Sequence, residues 1–176
     1  MFNGLFTEGT SQKGELPEDD PTTFGVFLGW LCKGVVEIPE NPVNVNDQIR
    51  MFAFAEKYSL VELQDKSIES LIYTLKKVGC LPNYSGMAAA YTHTHVDSKL
   101  RLFMARIAAY VTLAFTKSAE GGSWSKKNMT LAFEKCPELA VDALDSMRGQ
   151  NGIKIIDPRE HPLCDYHQHG STEPCP

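Results

Sequence analysis

The sequence predicts a mainly helical α+β chain with little sheet, and three observations carry that expectation. A sharply bounded helix lies between Asp20 and Gly34. Apolar residues recur at helical spacing from Ile49 to Leu75 and again from Leu100 to Phe115. Only Gly14-Glu15-Leu16 and Ile153 to Ile156 read as strands, and both are short. The expected layout is a first lobe over 1–80, a linker over 81–97, a helical region over 98–150 and a Cys/His-rich tail over 151–176.

Each element has a local reason. Asp20 is placed to cap a helix by accepting free backbone N–H groups, and Pro21 at the first helical position lacks a donor that would be orphaned anyway. Phe24, Phe27, Leu28 and Leu31 follow the i, i+3, i+4, i+7 rule and are expected to share a buried face. Gly34 suits a left-handed C-terminal cap. Pro39 and Pro42 keep the following connector out of helix. From Asn46 the next helix is apolar over most of its girth (Ile49, Met51, Phe52, Ala53, Ala55), the mark of a centrally buried rod. Leu63, Ile68, Leu71, Ile72 and Leu75 form a cleaner stripe, ended by Gly79 and Pro82. Asn83 to Asp97 reads as a polar, small-residue linker. Asp97 or Ser98 then starts the strongest helix, with Leu100, Phe103, Met104, Ile107, Ala108, Val111 and Phe115 on one face. Its length is about nineteen residues, roughly 28 Å at 1.5 Å per residue. Ser123 or Ser125 caps a shorter helix, and Cys136-Pro137 separates it from a last one carrying Leu139, Leu144 and Met147.

The stretch Leu16-Pro17-Glu18-Asp19-Asp20-Pro21, followed by an aromatic helix ending Trp30-Leu31-Cys32-Lys33-Gly34, resembles the second half of a BTB/POZ domain of the fungal kind. Ile49 to Leu63 resembles the helix pair that follows in that family, and Phe2 to Glu8 the segment before its later strand. In the family a hairpin and helices with a His-Lys signature precede these parts, so the resemblance implies a fragment, an N-terminally truncated domain, or a variant that completes the fold differently. It further implies protein–protein interaction: self-association into a homo-oligomer, and adaptor work for a cullin-based ubiquitin ligase. Phe6 and Glu8 take the hydrophobic and acidic slots of the family's cullin-docking triplet, and Phe24, Phe27 and Trp30 join them as partner-binding candidates. No catalytic role is implied.

Composition narrows the remaining classes. A net charge of −5 over 176 residues argues against a nucleic-acid binder, which concentrates Lys and Arg on one face. The most apolar segment, Ile107 to Phe115, is far short of the ~20 residues of a membrane span. No secretory leader is read at the start, so five cysteines point to a reducing cytoplasmic or nuclear setting.

The tail holds the sharpest chemical signal. Cys164, His167, His169 and Cys175, spaced C-x2-H-x-H-x5-C, make a complete tetrahedral ligand set for structural zinc. The competing reading is a tail whose Cys and His bind nothing. A small Cys/His metal-site protein, or a metal-dependent or Cys/His hydrolase using Cys164, His167 and His169, is the alternative from another class, and a truncated product without an independent role is a third. The acidic run Glu15 to Asp20 reads as a helix-start turn favoured by the helix dipole. His93 and His95 read as loop, Cys32, Cys80 and Cys136 as buried thiols, and Trp30 and Trp124 as packing aromatics.

Overall fold

In this computed structural model the described residues are 19–37, 45–114, 124–149 and 155–168. They form α1 (Pro21–Lys33), α2 (Val45–Lys57), α3 (Val61–Val78), α4 (Tyr84–His93), α5 (Lys99–Ala114), α6 (Lys126–Lys135) and α7 (Pro137–Arg148), then 3-10 turns at Pro158–Glu160 and Leu163–Tyr166. The fold is mainly helical, with no strand among the described residues. Of the strand-like stretches, 14–16 and 153–154 lie outside the described residues, and Ile155 and Ile156 adopt no regular structure.

The helix ends follow local chemistry. The Thr23 N–H donates to Asp20 Oδ2 at 2.8 Å, and Gly34 closes α1 at φ 70° with its N–H on the Trp30 carbonyl. Gly79 closes α3 in the same left-handed conformation, at φ 69°. Ser59 does that work between α2 and α3 without being glycine: its φ is 54°, and the Leu60 N–H reaches back to the Ala55 carbonyl at 2.8 Å. Ser125 Oγ caps α6 by accepting the Asn128 N–H.

Helix α2 is the shared wall of two apolar clusters. Its Ile49 and Phe52 enter the main core, while Met51, Phe54 and Ala55 join Leu63 in a smaller one against which Phe24, Phe27 and Trp30 of α1 pack. Both α3 and α4 pack on α2; α4 also meets α5, α6 and α7, and α5 lies along α7. Leu100, Phe103, Met104, Ile107, Ala108 and Val111 are buried, as the stripe on α5 predicts; Phe115, its expected last member, lies outside the described residues.

The segment expected to be a linker is instead part of the core. Asn83 Oδ1 accepts the Gly86 N–H at 3.0 Å and starts α4, whose Met87, Ala88, Ala90 and Tyr91 are buried in the main cluster. That cluster is continuous from Ile49 to Ala143 and takes in Tyr166, so α4 fastens the early helices to the late ones. A partly buried polar lock reinforces the junction. The Tyr91 hydroxyl donates to Asp142 at 2.6 Å, and Arg101 donates to the Tyr91 and Thr94 carbonyls while stacking 4.9 Å from the Tyr91 ring. Burial, then the Asp142 hydrogen bond, pushes the Tyr91 phenol far above its ordinary range.

Candidate interaction surface

Helix α1 is held to the body by aromatic contacts along one side. The Phe27 and Phe54 ring centroids are 5.2 Å apart, Phe24 meets Phe54 edge-on at 6.3 Å, and Phe27 stacks on Trp30 at 6.2 Å. The acidic turn before α1 is tied down as well. Asp19 accepts the Tyr58 hydroxyl at 2.6 Å and Lys57 Nζ at 3.0 Å. Burial would raise the Asp19 carboxyl, but those two hydrogen bonds and the Lys57 charge hold it below the ordinary carboxylate value. The two stretches that carry the family resemblance therefore pack on each other.

The expectation that Phe24, Phe27, Leu28 and Leu31 share a buried face holds only for its aromatic half. Leu28 is 46% exposed, Leu31 58% and Val35 55%, and the Cys32 thiol between them is exposed and not buried. The reason is geometric. The side of α1 that meets Phe54 is centred on Phe24, Phe27 and Trp30, and a helix of this width covers one neighbour with only one stripe. Leu28 and Leu31 are left facing outward, and Val35 is exposed just past the Gly34 cap. Of the partner-binding candidates, Phe24, Phe27 and Trp30 are half-buried against the body, and Phe6 and Glu8 lie outside the described residues.

Residues 155–168 form a strap laid across α3 and α5. Its order comes from three anchors. Arg159 donates through Nη1 to the Leu75 and Cys80 carbonyls, at 3.1 and 3.0 Å, and is braced by Asp157. Tyr166 is fully buried, edge-on to Phe103 at 5.1 Å, with its hydroxyl on the Pro158 carbonyl and the Arg106 guanidinium 5.2 Å from its ring. The Gln168 N–H donates to Asp65 Oδ1 at 2.9 Å, and the buried His167 places Nε2 3.3 Å from Glu69. Asp165 bridges the middle, 2.7 Å from Arg106 and 3.4 Å from His161, while its carbonyl accepts Lys99 Nζ. Burial pushes the Tyr166 phenol up to about 12.

Of the expected zinc ligands, His169 and Cys175 lie outside the described residues. Cys164 is exposed whereas His167 is buried beside Glu69. No three His, Cys, Asp or Glu side chains converge to hold a metal among the described residues. Strap order comes here from an aromatic anchor and arginine clasps, which the Cys/His spacing does not announce; Tyr166 beside Asp165, with Arg159 upstream, was the signal available. His93 and His95 sit exposed at the end of α4, where the His95 N–H donates to Glu56 at 2.8 Å.

No family model matches the chain, and no curated protein or solved structure does. None of the helices among the described residues is long and apolar enough to cross a membrane.

What the α1 surface can do follows from its own chemistry. Two exposed leucines one turn apart on a helix fixed at one side, with Val35 just beyond its end, offer an apolar patch for another helix to pack against.

Proposed function

We propose that this chain is a protein–protein interaction module of BTB/POZ type that self-associates through α1. The observation that carries the reading is the outward pair Leu28 and Leu31 on a helix whose other side is already committed to Phe54, with the exposed Val35 just past its Gly34 cap. The cost of leaving these side chains in water is recovered when a second surface covers them, at ~25 cal/mol per Å² of apolar area removed from water. The mutual packing of the acidic turn, α1 and the end of α2 supports the same reading, since these are the parts that resemble the family. The resemblance adds a cullin scaffold as the second partner.

The test is sedimentation velocity on the purified chain and on Leu28→Glu/Leu31→Glu. The chain should associate at micromolar concentration, and the double variant should remain a monomer with an unchanged melting temperature. A wild-type chain that stays monomeric at every concentration overturns self-association. Capture of a purified cullin scaffold by the wild-type chain, lost with Phe6→Ala/Glu8→Ala, tests the adaptor role.

A further inference from the structure

The strap runs antiparallel along α3. Arg159 sits at the α3 C-terminus on Leu75 and Cys80, His167 lies beside Glu69, and Gln168 reaches Asp65 near the α3 start. From Leu75 back to Asp65 is roughly 15 Å of helix. Along α5 the strap is gripped at Lys99, Phe103 and Arg106. It therefore meets the body as a bound peptide does: one aromatic in a pocket, one arginine and one carboxylate in charge-assisted contacts, and backbone groups at its end. It shares no helix with the body; its own hydrogen bonds are local turns such as Glu160 N–H to the Asp157 carbonyl. The Tyr166 hydroxyl on the Pro158 carbonyl folds the segment on itself, so part of its bound shape is carried by the segment.

We propose that the α3–α5 surface is a peptide-binding site occupied in this structure by the chain's own residues 155–168, and that it takes the same segment from a second copy. The chemistry it recognises is an Asp-Pro-Arg turn followed by Asp-Tyr-His. Asp65 and Glu69 receive one end, Arg106 and Lys99 the middle, and the α3 carbonyls the arginine. In cis the segment is joined to α7 by residues 150–154, a reach of at most ~20 Å, so its effective concentration at the site is high. An external copy competes only when the internal one is weakened. This surface is separate from α1, and the proposal does not rest on self-association there.

The experiment is fluorescence anisotropy with a labelled synthetic peptide of residues 155–168, titrated with the full chain. Tyr166→Ala in the chain removes the aromatic anchor and should raise peptide affinity at least tenfold over the wild-type chain. The same peptide carrying Tyr166→Ala should bind neither protein. Circular dichroism shows whether the variant is folded. If it is not, Arg159→Ala, which leaves every core side chain in place, makes the same comparison. Equal binding by wild type and the folded variant, or equal binding of both peptides, overturns the proposal.

Discussion

At the scale of single residues, the chain ends its helices with groups whose effect is confined to one turn. Asp20, Gly34, Gly79 and Ser125 act where their neighbours in sequence need them, so each was legible in advance. Ser59 was not. Its left-handed φ of 54° is imposed by the need to turn α2 into α3, and nothing in the serine side chain favours it. Ser59→Gly should therefore stabilise the fold by ~0.5–1 kcal/mol, read as a higher urea midpoint with an unchanged slope. A lower midpoint would mean that the serine earns its place by a contact of its own.

At the scale of elements, α4 and the strap show why pattern reading stopped short. Helix α4 is enclosed by α2, α5, α6 and α7, so small residues and Met87 fill it without a one-sided stripe. The Pro82-Asn83 start and the run Ala88-Ala89-Ala90 were its only marks. The strap depends on ionised carboxylates. Burial would raise the Asp157 and Asp165 carboxyls, but hydrogen bonds and charge from Arg159, and from Arg106 with His161, hold both below the ordinary value. A carboxyl depressed in the folded state contributes stability that is fully present above its unfolded pKa of ~3.9 and is lost as pH falls through the folded value. The strap should thus hold from neutral pH down to about 4 and loosen below it. The phenol fluorescence of Tyr166 is weak beside the indoles of Trp30 and Trp124, so hydrogen-exchange protection of the Asp165 and Gln168 amides is the better reporter. Protection factors, taken relative to the intrinsic exchange rate at each pH, that do not fall below pH 4 would contradict this.

At the scale of the whole molecule, the continuous core makes one cooperative unit out of what reads as two lobes. Unfolding followed by tryptophan fluorescence and by far-ultraviolet circular dichroism should coincide in a single transition. Met87→Ala, at the centre of the junction, should cost ~2–5 kcal/mol and shift both signals together. Two separated transitions would show that the early and late helices fold apart. Leu28→Glu/Leu31→Glu touches only exposed positions, and its effect on stability should stay within about 0.5 kcal/mol while association is lost.

The helical class, the caps, the central burial of α2 and the stripe of α5 were written in the sequence, because each depends on residues within a turn or two of one another. Three features were decided only by tertiary structure. The outward turn of Leu28 and Leu31 depends on which side of α1 meets Phe54. The enclosure of α4 depends on helices far away in sequence. The seat of Tyr166 depends on Phe103, with Arg106 closing over it. A repeat in sequence says that a face is apolar; which neighbour covers it, and which face stays open, is settled only when distant parts of the chain compete for the same surface.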